Sequence, residues 1–118
     1  MSIGYSQSRS EVADVATEGS NDRVTVALVE KYLDLTARAK EKATPIPTSE
    51  GGDIDATRLA DMMRMCDDYA ADARHFMETG DLVRAFGAIN YAHAWLDAAV
   101  RIGLLDGHGD DQLFTLPP

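Results

Sequence analysis

Between Arg23 and Gly103 apolar residues recur every three to four positions, the period of an α-helix. In the first run Val24, Leu28, Tyr32, Leu35 and Ala39 share one side and predict a helix over 22–42. Val26 and Leu33 fall on the opposite side, so that helix is apolar on both flanks. In the second run Leu59, Met62, Met63, Cys66, Tyr69, Ala70, Ala73 and Met77 form a continuous stripe over 54–79, with Phe76 at its edge. Asp61, Asp68, Asp72 and His75 share the solvated face of this helix. A third helix is predicted over 82–102. Its main stripe is Leu82, Phe86, Ile89, Leu96 and Val100; Arg84, Ala88, Tyr91, Trp95, Ala98 and Ile102 lie roughly opposite. A lane of small residues, Ala85, Ala92 and Ala99, runs between the two. A helix apolar over about three quarters of its circumference touches more than one neighbour, with Tyr91 and Trp95 as packing anchors.

The breaks between the runs set the topology. The segment TPIPTSEGGD, 44–53, reads as a linker from its prolines and glycine pair. Asp53 or Asp55 is placed to cap the second helix by accepting an orphan backbone N–H. In ETGD, Gly80 suits the left-handed position after a helix and Asp81 the N-cap of the next. So short a turn forces helices two and three into a tight antiparallel hairpin, and helix one is the natural third member. Gly103 stops helix three, with Leu104 and Leu105 folding back on its last turn. The expected fold is therefore all-α, a three-helix up-down-up bundle over 21–105. A flexible polar N-terminal tail occupies 1–20. An extended C-terminal tail, 106–118, can strap Leu113, Phe114 and Leu116 across the bundle.

Composition narrows the partners. The 118 residues include 20 Asp and Glu against 11 Lys and Arg, a net charge of −9, and only three lysines. A nucleic-acid backbone needs a basic footprint that this chain lacks, and an anionic membrane surface is disfavoured for the same reason. There is no apolar run of membrane-spanning length, and the first residues do not read as a secretory signal. One cysteine, Cys66, allows neither an internal disulfide nor a multi-cysteine zinc site. A reducing cytoplasm is the simplest home. An acidic surface poor in lysine is also what a halophile's cytoplasm favours, where molar salt shortens the Debye length to about 3 Å.

The candidate chemistry lies on helix three. Asn90, His93, Asp97 and Arg101 form a polar lane that Tyr91 and Trp95 point away from. Asp97 precedes Arg101 by four residues, the favourable order for a helix ion pair, and His93 reaches Asp97 by the same spacing. Read functionally, this is a carboxylate–histidine pair that orients a ligand or acts as a base. Read structurally, it is a surface salt bridge of ~0.3–0.5 kcal/mol beside a boundary histidine. Cys66, on the core stripe, is no nucleophile. Asp72 and His75, with Asp67 or Asp68 and His93 across the hairpin, have the residue types of a bundle metal site, but His75 points outward, and no metal or cofactor is assigned. Arg101 and His108 share the R-x6-H spacing of the HEPN-type helical ribonucleases, but Gly103 and Gly107 place His108 beyond the helix. Met62, Met63, Met65 and Met77 suit core filling or an adaptable binding surface. The second apolar side of helix one, Val26 and Leu33, offers a face for a protein partner or a second copy, or packs against the N- or C-terminal tail.

Residues 69–103 contain three blocks in register: Tyr69, Asp72, Ala73 and Phe76; Gly80, Asp81, Val83, Arg84, Ala85 and Phe86; and Tyr91, Ala92, Trp95, Leu96, Asp97, Ala98, Arg101 and Gly103. This pattern resembles the archaeal family known as domain of unknown function 357. Ala94 departs from the glycine expected before the tryptophan. The resemblance implies an all-α three-helix bundle and an archaeal source, to which the acidic composition adds a haloarchaeal one. It implies no activity. The functional expectation is a non-enzymatic binding or protein-interaction module; the alternative is a hydrolase or nucleic-acid-processing enzyme using Asp97, His93 and Arg101.

The charge reading generates a test. If the acidic surface is adapted to salt, the thermal unfolding midpoint rises between low and molar KCl. A midpoint that stays flat or falls counts against that adaptation.

Overall fold

The computed structural model describes residues 21–47 and 52–118; the polar tail expected over 1–20 lies outside them. Three helices follow one another: α1 (Val26–Lys42), α2 (Gly52–Glu78) and α3 (Leu82–Arg101). Two-residue strands lie at β1 (Thr44–Pro45) and β2 (Leu105–Asp106). The all-α, up-down-up bundle is the fold that forms, and each helix boundary has a chemical cause.

α1 starts at Val26, four residues later than the sequence suggests, because the Thr25 hydroxyl caps it and accepts the Leu28 N–H at 3.1 Å. α2 begins earlier than expected, at Gly52, so Asp53 and Asp55 sit inside its first turn rather than capping it. There their carboxylates face the positive end of the helix dipole. Gly80 takes φ +82°, its N–H donates to the Met77 carbonyl, and the Asp81 N–H donates to that of Phe76. This paired closure satisfies the last carbonyls of α2. Asp81 then turns its side chain to the Arg84 N–H and opens α3. α3 ends the same way: Gly103 has φ +82°, and the N–H groups of Gly103 and Leu104 return to Val100 and Ala99.

The core is built largely from small side chains. Ala39, Ala73, Ala85, Ala92 and Ala99 are fully buried, together with Val29, Cys66, Ile89 and Leu96. The small lane on α3 is thus the surface that lets α2 approach it. α1 lies along α3 in the same direction, as Tyr32 against Phe86 (ring centroids 5.5 Å apart) and Thr36 against His93 show. It touches α2 through the Lys40–Asp67 ion pair. Because α1 and α3 run in parallel, they deliver their exits to the same end. There β1 and β2 pair antiparallel, Thr44 with Asp106 and Pro45 with Leu105, and Ile46 N–H adds a 3.0 Å bond to the Leu104 carbonyl. Nothing in the helical periodicity predicts this short closure of the 44–53 linker.

Two packing expectations fail. Leu33 does not face outward; it is partly buried and packs against the core. Val26 remains as the single exposed large apolar side chain of α1, 48% exposed. Tyr91 is not a buried anchor: it is 49% exposed, and Ile102 is 64% exposed. α3 has neighbours over a smaller arc than its composition suggests, leaving this side open.

The alanine contact is testable. Ala92→Leu should cost about 1–3 kcal/mol or more by overpacking a fully enclosed position, whereas Ala98→Leu on the exposed side should stay within about 0.5 kcal/mol. Urea unfolding of the two variants gives the comparison.

Candidate functional site

The polar lane of α3 is real as a geometric feature, and most of it faces the C-terminal segment. Beyond β2 the chain turns at Gly107–Gly109 and again over 110–113, then runs beside α3 in the helix's own direction as an extended strap. Asp110 shapes the turn: its side chain accepts the N–H groups of Gln112 and Leu113 at 3.0 Å each, and its carbonyl accepts that of Phe114 at 3.1 Å. This drives Leu113 and Phe114 into the core, where both are buried. Gly107 is required here, since a Cβ at that position would come within 2.9 Å of the Phe114 ring.

His93, Asp97 and Arg101, one helical turn apart, then meet the strap in turn. His93 Nε2 lies 2.7 Å from the Leu113 carbonyl oxygen, and Nδ1 lies 3.0 Å from the Thr36 hydroxyl of α1. A carbonyl only accepts, so Nε2 donates; in the neutral ring Nδ1 accepts from Thr36. Thr36 is buried, and this is the bond that satisfies it. Asp97 accepts the Thr115 N–H at 2.9 Å. Arg101 donates to the Leu116 carbonyl at 3.3 Å. Asn90 stands apart, donating to the Phe86 carbonyl of its own helix at 2.8 Å.

This corrects the pairing read from the spacing. The expected Asp97–Arg101 ion pair is replaced by two bonds to strap backbone, because the extended chain inserts its N–H and C=O groups between them. His93 and Asp97 do approach, but at 3.9 Å between Nε2 and Oδ1 the histidine proton goes to the carbonyl instead. The sequence carried no signal for this, since the partners are backbone groups some twenty positions away.

Two flanking contacts hold the turn. Lys42 at the end of α1 reaches Asp110 at 2.8 Å, and His108 lies 2.8 Å from the Thr44 hydroxyl. The Lys42 ammonium, bonded to Asp110, holds that carboxyl below the usual carboxylate range. His108 thus belongs to the turn beyond the helix, while Arg101 serves the strap. Asp72 and His75 lie on the exposed face of α2, Asp67 is held by Lys40, and His93 is enclosed by α1 and the strap, so the helices do not gather them. Among the described residues no three His, Cys, Asp or Glu side chains are grouped to hold a metal ion. Cys66 is buried, and burial pushes its thiol up to about 11, away from a nucleophilic thiolate.

Two other surfaces remain. A cavity of about 540 Å³ lies between β1 and the start of α2, lined by Pro45, Ile46, Leu59, Met63 and Leu104, with Asp55 as its one charged side chain among the described residues. The second is the side of the α2–α3 hairpin away from α1. There Tyr69 meets Tyr91 edge-on at 4.5 Å, and Tyr91 meets Trp95 at 6.2 Å. The Trp95 indole N–H is buried without a hydrogen-bond acceptor. Among the described residues no helix is long and apolar enough to cross a membrane.

The family model described as protein of unknown function (DUF357) matches residues 31–105, which span all of α2 and α3 and most of α1. No curated protein and no solved structure matches the chain.

The strap contacts define a pH and mutational test. A carboxyl whose pKa is lowered on docking contributes stability above its ordinary value, about 3.9, and loses it as pH falls through the lowered one. The strap should therefore loosen on acidification below the usual carboxylate range, and at neutral pH in Asp110→Asn. His93→Ala should loosen it further, by about 1–3 kcal/mol, since Thr36 and the Leu113 carbonyl lose their partner. The Phe114 ring resonances in NMR report docking.

Proposed function

The chain belongs to the domain of unknown function 357 family, and on that premise we propose that it is a non-enzymatic protein-interaction module of the cytoplasm. One observation carries this reading: the side chains with the chemistry for a reaction, His93, Asp97 and Arg101, are bonded to the chain's own strap, while Tyr91 and Ile102 stand exposed on the other side of the same helix. A catalytic set needs convergent groups with room for a substrate between them; here that room holds Leu113 to Leu116. An exposed aromatic and aliphatic face instead has the composition of a binding surface.

The interaction face is assigned to the α2–α3 hairpin rather than to α1. Val26 stands alone on α1 and Leu33 packs inward, which leaves too little contiguous apolar surface for a partner there. Tyr91 and Ile102 are exposed on α3, with Trp95 between them. The lane of Asn90, His93, Asp97 and Arg101 then serves to hold the strap and positions no ligand. The acidic surface of a salt-adapted, haloarchaeal cytoplasm keeps nucleic acid away from this face.

The test is affinity purification from the native cytoplasm with the wild-type chain, Tyr91→Arg and Asn90→Ala. A partner present with wild type and Asn90→Ala, and absent with Tyr91→Arg, supports the assignment. Partners that ignore Tyr91→Arg, or turnover of a substrate that His93→Ala abolishes, overturn it.

A further inference from the structure

We infer that the outer face of the α2–α3 hairpin receives one amphipathic helix with a basic flank, completing a four-helix arrangement; this rests on the interaction-module reading above and names its partner.

α1 covers only one side of the α2–α3 hairpin. It reaches α2 at Asp67 and α3 at His93. Each of these is two residues from large apolar or aromatic positions on its helix, Met65 and Tyr69 on α2, Tyr91 and Trp95 on α3. Two residues turn a helix by roughly 200°, so those side chains occupy the side α1 leaves uncovered. On α2, Met65, Tyr69 and Phe76 follow helical spacing; on α3, Tyr91, Trp95 and Ile102 do. The first three and Trp95 are partly exposed, and Tyr91 and Ile102 largely so. The face is therefore a second furrow between the same two helices, equivalent to the one α1 fills. Small residues, Ala94 and Ala98, are exposed on its α3 side and permit a close approach.

Length and charge choose the occupant. From Arg58 to Phe76 the furrow runs about 27 Å, the length of roughly eighteen helical residues. On the solvent side of α2 next to it stand Asp68 and Asp72, both exposed, four residues apart and in no ion pair with a described residue. Like charges at this spacing oppose the helix, and a cation between them relieves that. Arg58 and Arg84 at the two ends are already paired with Asp55 and Asp81. The whole chain is at −9, so a second copy brings repulsion where a basic helix brings attraction. A partner helix with leucine-type residues toward Tyr91 and Lys or Arg toward Asp68 and Asp72 fits both features.

Trp95 is the sole tryptophan and lies on this face, so its emission reports occupancy directly. The probe is a synthetic peptide of about eighteen residues, built from Leu, Ala and Lys with the lysines on one flank, titrated into the full chain. A control peptide carries Glu for Lys. The lysine peptide should shift Trp95 emission saturably and bind about tenfold more tightly than the control, as two exposed charge pairs allow. Asp68→Lys with Asp72→Lys, both on the exposed surface, should reverse that preference, and Ile102→Glu should weaken both peptides while circular dichroism confirms the fold. The inference fails if Trp95 does not respond, if both peptides bind alike, or if the double variant keeps the wild-type order. It also fails if light scattering with a Trp95 shift on dilution shows a second copy on this face, or if proteolytic removal of residues 1–20 is what opens it. A native partner that depends on Tyr91 while the peptide does not bind sinks this inference alone; partners indifferent to Tyr91→Arg sink the module reading.

Discussion

The close contact of alanines between α2 and α3 is the constraint from which the other features follow. Ala73 of α2 and Ala85, Ala92 and Ala99 of α3 are fully buried, so much of the enclosed surface of the hairpin is methyl groups, which permit a close approach of the two helices. The bulky residues are displaced to the two margins of the contact. On one margin they meet α1, and Tyr32 closes on Phe86. On the other they meet no described element, and Tyr91 meets Tyr69 and Trp95 edge-on instead. A core of larger side chains would have spread the helices and drawn those aromatics inward. The small core therefore explains both why the bundle needs a third helix and why one face of the hairpin remains apolar and open.

The same economy of volume accounts for the strap. With Ile89 and Leu96 as its largest fully buried side chains, the bundle gains from any further apolar group it can enclose. Leu113 and Phe114 supply two. An extended segment brings its backbone polar groups with it, and these need partners once water is removed. His93, Asp97 and Arg101 provide them at successive turns, and Thr36 is satisfied through the same imidazole. A lane that looks like the beginnings of an active site is thus a set of side-chain caps for backbone.

Much of this was legible from residue order. Helical period gave the three helices, and the glycines at 80 and 103 gave their ends, because each rule concerns neighbours within one turn. The separation of Tyr91 and Trp95 from the polar lane was legible for the same reason. What period could not give was the distance between elements. Whether Leu33 faces in or out depends on which elements pack around α1, and whether Tyr91 is covered depends on what lies across the hairpin. The bonds of His93 to Thr36, 57 positions back, and to Leu113, 20 positions on, join three elements that no local rule connects. The bridge of Thr44 to Asp106 is invisible for a further reason: two residues are too few to show any alternation.

The long sequence separation of the strap's contacts also has a kinetic side. The α2–α3 hairpin closes through a three-residue turn, so its contacts form at small entropic cost and early. Lys42 meets Asp110 across 68 positions, and that contact needs the end of α1 beside the strap. Where contacts of such separation form after the rate-limiting step, weakening them quickens unfolding and leaves the folding rate nearly unchanged. The C-terminal strap is in this sense a brake on opening: it governs how long the bundle stays closed, not how fast it first assembles.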